Sequence, residues 1–172
     1  MKQHCVDAVV CFIRRNKKVL LQERAQHQRW AGTLNGPGGK IESGESPLEA
    51  IKREVAEETA LQIHDVTSHG TLRLVFSSAA EPDLFVHVFS TSTFNGRSRG
   101  TAGRLQWFQD DGLPFDRMCP DQRYWLPLVL AGGRLDGICR FNGGGPQLCS
   151  CELQLTLATA PELLGHDSIK GG

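Results

Sequence analysis

Glu54, Glu57 and Glu58 lie at i, i+3 and i+4 within Pro47–Thr59, a segment that reads as a helix. That spacing sets the carboxylates on one side of the helix, where like charges repel and weaken it. A hard divalent cation removes the repulsion, because Mg²⁺ prefers oxygen ligands and completes its shell with water and substrate phosphates. Glutamate-rich helix faces are also often simply solvated, so the triplet alone does not decide the matter. Its surroundings do. Gly36-Pro37-Gly38-Gly39 runs ahead of the helix with little side-chain bulk, leaving room for a metal or phosphate to approach the backbone. Arg53 precedes Glu54 and can lock a carboxylate in a bidentate pair.

The positioning elements follow from local rules. Ser46 is a natural N-cap, Pro47 suits the first helical position, and Glu49 completes a capping box. Leu48, Ile51 and Val55 form an apolar stripe that should pack on a sheet. Val6–Ile13 and Val19–Gln22 read as a hairpin, Leu72–Phe76 and Leu84–Phe94 as strands, and Leu105–Phe108 as extended chain. Gln26–Ser46 is a long glycine-containing connection, and connections of such length are usually functional. Asp121–Ala131 is a second helix with Pro127 inside it, expected to kink there. Arg134–Phe141 and Leu148–Leu157 are the last strands. These elements predict an α+β domain, a mixed sheet covered by two helices, over residues 1–160, with 161–172 as a flexible tail.

Lys plus Arg and Asp plus Glu both number 19 among 172 residues, so no broad electrostatic grip on a nucleic acid polymer or a membrane is expected. Any phosphate must be held locally. The six cysteines show no zinc-ligand spacing. Cys149, Cys151, Leu153, Leu155 and Leu157 alternate with polar residues, which predicts thiols on the apolar face of a strand and no disulfide framework. No segment has the length of a signal peptide's apolar core or of a membrane span. A cytoplasmic, reduced protein and a monomer are expected.

The chain resembles the Nudix hydrolases. Gly39, Glu45, Arg53, Glu54, Val55, Glu57, Glu58 and Leu61 stand at the spacings of the Nudix signature, and only Ala60 departs, where the signature has glycine. The resemblance implies the Nudix fold and a Mg²⁺ cofactor, with Mn²⁺ as a substitute. Glu54, Glu57, Glu58 and Gly38 would be metal ligands, and Gly39, Glu45 and Arg53 would organise the loop and helix. It also implies water attack on phosphorus of a small nucleotide substrate, with any carboxylate not held by metal able to take the proton.

Leu34–Lys40 and the run from Trp107 to Trp125 are similar to the MutT-like oxidised purine nucleoside triphosphate hydrolases. In those enzymes the positions of Asn35, Asp121 and Gln122 read the purine edge, which implies substrates such as 8-oxo-dGTP. Phe76, Trp30 and Lys40 are further candidates for the base pocket and the phosphates. Cys119 replaces a stacking tryptophan, and Gln122 replaces a second aspartate. Arg99, Thr101, Ala102 and Gly103 fill a stretch where relatives carry a metal-reaching glutamate, for which Asp110 or Asp111 would have to fold back. Two rival readings follow: a Nudix hydrolase of another nucleoside-diphosphate-linked substrate, and a non-catalytic nucleotide-binding module.

Overall fold

The computed structural model describes residues 4–78, 80–101, 103–143 and 146–157. The expected tail, 161–172, lies outside them. Strands β1 (Cys5–Arg15) and β2 (Lys18–Glu23) form the opening hairpin. Two short strands follow in the long connection, β3 (Leu34–Asn35) and β4 (Gly38–Lys40), and then helix α1 (Pro47–Thr59). The chain continues through β5 (Gln62–His64), β6 (Thr67–Phe76), β7 (Asp83–Thr91), β8 (Thr93–Asn95) and β9 (Leu105–Gln109). Helix α2 (Gln122–Leu130), β10 (Arg134–Asn142) and β11 (Gln147–Thr156) complete it.

The main sheet has the order β11-β10-β6-β7-β1-β2-β3, with β4 on β1 and β9 on β2; β5 and β8 pair separately. It is mixed, because β1 with β7 and β6 with β10 are parallel and its other pairs antiparallel. Central β1 explains the sandwich. Its alternate residues Val9, Cys11 and Ile13 join Ile51 and Val55 of α1, while Val10 and Phe12 join Trp125, Leu126 and Val129 of α2. A strand buried on both faces needs a continuous apolar run, which Val9–Ile13 supplies. The structure therefore has the expected α+β arrangement, a mixed sheet between two helices.

The capping box at Ser46 and Glu49 forms in both directions. Three expectations need correction. Leu48 is exposed, and Ala50 takes its place beside Ile51 and Val55 in the core. Leu84–Phe94 is divided at Ser92, so its end pairs with β5 instead of the main sheet. The cysteine reading fails twice. Cys139 and Cys151, directly opposite in β10 and β11, are joined by a disulfide. At the register shift between Arg140 and Phe141, Ser150 and Leu148 are the paired residues, so Cys149 is the extra residue of the bulge and lies exposed. α2 runs through Pro127, whose ring faces solvent. Among the described residues no helix is long and apolar enough to cross a membrane.

Candidate functional site

Arg53 organises the carboxylate face of α1, from which Glu58 reaches a small polar cleft. Its Nε and Nη2 donate to the two oxygens of Glu45 at 2.6 and 2.9 Å, a bidentate pair. Nη1 donates to Glu54 at 2.9 Å and to Glu57 at 3.3 Å, and Nη2 also reaches the Lys40 carbonyl at 3.1 Å. The Arg53 hydrogen bond, helped by the Glu42 N–H, lowers the Glu45 pKa to about 2. The guanidinium thus ties the end of β4, the loop after it and the carboxylate face of α1 into one unit. The Lys40 side chain itself is exposed.

Glu58 differs from its neighbours. It is buried, and its Oε2 accepts the Gly38 N–H at 3.0 Å. Burial pushes its pKa up to about 7 against the pull of that N–H, and the Glu54 charge adds to the rise. The glycines have another reason than the one expected. A Cβ on Gly38 would lie 2.1 Å from the Val9 carbonyl oxygen, and one on Gly39 2.4 Å from Glu54 Oε1. The bare backbone is needed first to pack against β1 and the Glu54 carboxylate.

Among the described residues no three His, Cys, Asp or Glu side chains converge as a metal-holding group. Arg53 sits between Glu54 and Glu57 and supplies the positive charge there. The donor set still fits a hard cation. It is all oxygen, it carries more negative charge than Arg53 alone neutralises, and buried Glu58 makes no ion pair among the described residues.

The other end of the cleft draws on distant segments. Gln22 and Asn35 face each other across β2 and β3. The Asn35 Oδ1 accepts the Gly36 N–H at 2.8 Å and the Gln122 Nε2–H at 2.7 Å. Asp121 begins α2, yet its side chain does not cap the helix; Oδ2 accepts the Trp125 indole N–H at 2.9 Å. Burial raises the Asp121 pKa. Asp121 Oδ1, Gln122 Oε1 and Gln22 Nε2 are buried without a hydrogen-bond partner among the described residues, although the Cys119 thiol interacts with the Asp121 carboxylate. Each such atom costs about 1–3 kcal/mol unless a ligand completes it.

The cleft is lined by Gln22, Arg24, Gln28, Asn35, Gly36, Gly38 and Glu58. It brings Gly38, Asn35 and Glu58 together, with Gln122 attached through Asn35. It does not include Phe76, which is 1% exposed and packs with Trp30 and Phe141 beneath the Arg29 guanidinium. The pocket role expected of Phe76 is replaced by a core role. Cys119 is buried, with its thiol pKa raised by burial. Gln22, Arg24 and Gln28 escaped the sequence reading. Gln22 carried a signal, as the polar end of the buried run Val19–Leu21; Arg24 and Gln28 carried none.

A family model for the NUDIX domain matches residues 4–129. The chain belongs to the Nudix hydrolase family. The Nudix chain is 37% identical over 114 residues to the mouse oxidized purine nucleoside triphosphate hydrolase, covering 65% of this chain and 72% of that one. The zebrafish (Danio rerio) protein of the same name is 34% identical over 114 residues, 66% and 72% of the two lengths. The crystal structure of a MutT protein from Bacillus halodurans superposes with a TM-score of 0.75 at 25% identity, covering 86% of this chain and 97% of that one.

The departures from the Nudix signature now have a structural setting. Ala60 adopts the left-handed conformation, φ 60°, and its N–H donates to the Ala56 carbonyl. The loop that lacks the relatives' glutamate docks on the end of α1. Arg99 N–H donates to the Thr59 carbonyl at 2.8 Å, Thr101 N–H to that of Glu58 at 3.1 Å, and the Thr101 hydroxyl to that of Glu57. Ala102 lies outside the described residues. Asp110 is paired with Arg14 at 2.8 Å and is held there, not folded back toward the carboxylates.

Proposed function

We propose that this Nudix hydrolase is a Mg²⁺-dependent nucleoside triphosphate pyrophosphohydrolase that acts on oxidised purine nucleotides, 8-oxo-dGTP first among them. The observation that carries the reading is a cleft that buried Glu58 lines on one side and Gln22 and Asn35 on the other, with the Arg53-held carboxylates of α1 beside the first and buried polar atoms lacking partners among the described residues at or beside the second. The names of the mouse and zebrafish relatives support it.

In this reading water attacks a phosphorus of the triphosphate, the phosphoanhydride bond breaks, and pyrophosphate leaves with the monophosphate as second product. Mg²⁺, or Mn²⁺ in its place, would neutralise phosphate charge and acidify the attacking water when bound. Glu54, Glu57, Glu58 and the Gly38 carbonyl are the residues proposed to hold it. Arg53 and Glu45 keep the carboxylate face in place, and Gly39 leaves room for Glu54. A carboxylate left free of metal accepts the proton of the attacking water, and Arg24 faces the phosphates as a cation in the cleft. At the base end the Asp121 and Gln122 oxygens accept from base N–H groups, and Asn35 fixes the Gln122 amide. Asp121, when protonated by virtue of its burial, donates to a base carbonyl instead.

A second reading rests on Cys119, whose buried thiol offers no ring for stacking. It gives the same hydrolysis on a different nucleoside-diphosphate-linked substrate. We place the protein in the cytoplasm as a one-domain monomer. The test is product release from a panel of oxidised and normal nucleoside triphosphates and dinucleotides with Mg²⁺, resolved by ion exchange. Preferential conversion of an oxidised purine triphosphate to its monophosphate supports the first reading. Cleavage of other members only moves the assignment to the second, and tight binding without turnover overturns both.

A further inference from the structure

The β1–β2 turn carries an unused concentration of positive charge. Arg15 and Lys18 stand directly opposite each other across the hairpin, and directly opposed like charges destabilise a strand pair. Lys17 stands between them with φ 58°, following Asn16 with φ 51°. A two-residue turn with both central residues left-handed favours Asn-Gly, so lysine at the second position is strained. Among the described residues no carboxylate pairs with Arg15, Lys17 or Lys18, while the two terminal nitrogens of neighbouring Arg14 are taken by Asp110 and the Leu130 carbonyl.

Arg15 is nevertheless held. Its guanidinium lies 5.0 Å from the Trp107 ring centre and 5.6 Å from that of Phe94, and the two rings stack at 6.1 Å. An arginine fixed on an aromatic platform keeps its N–H edge free for a planar or tetrahedral oxyanion. Arg14, Arg15, Asn16, Lys17 and Ser92 line an open cleft beside this edge. Ser92 adds a hydroxyl. Arg15 lies five residues along β1 from Val10, the last residue paired with β4, which is about 17 Å of strand.

We propose that this turn is a second binding site for a phosphoryl group, separate from the carboxylate cleft. Arg15 supplies the planar donor edge, Lys17 and Lys18 supply charge, and Ser92 donates its hydroxyl. A multiply charged phosphoryl anion, more than a single carboxylate, offsets the repulsion between Arg15 and Lys18 and the strain at Lys17. The group could be carried by a free pyrophosphate or by the backbone of a single-stranded oligonucleotide, and both present the same chemistry.

The test is amide and arginine Nε NMR of the full chain, with divalent metal chelated, during titration with sodium pyrophosphate and separately with a single-stranded oligonucleotide. The expected result is saturable shifts at Asn16, Lys17, Ser92 and the Arg15 Nε. R15Q should weaken binding about tenfold, the loss of one charge-assisted contact. K17G/K18Q, which keeps Arg15 on its platform, should weaken it comparably, and neither variant should change nucleotide hydrolysis. Saturation by pyrophosphate alone identifies a free anion as the ligand, and tighter binding of longer oligonucleotides identifies the polymer. Shifts confined to the carboxylate cleft, or hairpin shifts unchanged in both variants, overturn the proposal.

Discussion

On the carboxylate side, Glu45, Arg53, Glu54 and Glu58 come from a single loop and the helix after it, and Glu58 reaches the cleft. On the other, Asn35 meets Gln122 across 87 positions of sequence, and Gln22 arrives from a third strand. The first group is held in place internally, since Arg53 binds Glu45, Glu54, Glu57 and the Lys40 carbonyl together, and it keeps a surplus of negative charge. The second leaves polar atoms of Gln22, Asp121 and Gln122 without hydrogen-bond partners among the described residues. A locally encoded, internally fixed group suits a reaction that stays the same, whereas an open array assembled from afar suits a choice between substrates. Changes at the carboxylate end should therefore act on turnover and changes at the amide end on selectivity.

The largest effect is expected from Glu58→Gln. It keeps the Gly38 hydrogen bond but removes the buried charge, and kcat should fall by about 10³-fold with substrate preference intact. A change in preference between nucleotides with kcat retained would break the division of labour. Arg53→Lys comes next. Lysine cannot reproduce the two-pronged grip on Glu45, so kcat should fall by about 10²-fold and steady-state kinetics should show KM less affected.

At the amide end, Gln122→Ala should act on discrimination. The ratio of kcat/KM values between an oxidised purine triphosphate and its normal counterpart should shift by about tenfold, the worth of one hydrogen bond to the base. Equal losses for both nucleotides would remove Gln122 from base reading. Asp121→Asn tests the electrostatics of the same end. Burial raises the folded-state pKa of Asp121, so the folded protein binds that proton more tightly than the unfolded chain does. The associated stability is whole below the unfolded pKa and is lost as pH rises toward the folded one. Asparagine carries no such penalty, so urea unfolding should find the variant gaining on wild type from acid to neutral pH, and a pH-independent difference would contradict the assignment.

The smallest effect concerns the helix end. Ala60→Gly should stabilise the fold by about 1 kcal/mol in thermal unfolding, because glycine adopts the left-handed conformation at little cost. Activity should stay within twofold or so of wild type if the carboxylate face is as self-contained as its hydrogen bonds indicate.

Helix α1 could be drawn from the sequence with its ends, cap and acidic face in place. Each of those features depends on residues within four positions of one another, where backbone sterics and hydrogen bonding act without help from the rest of the chain. The outer strands and the sandwich followed from their apolar runs. Tertiary structure alone decided what faces what. It turned Phe76 into the core, brought Gln22 and Arg24 to the cleft, and set Gly38 and Gly39 against Val9 and Glu54. It also paired Cys139 with Cys151 while a shifted register left Cys149 outside. Such neighbours depend on strand order and register, which long-range packing selects, and periodicity along one segment carries no information about the segment that will lie beside it.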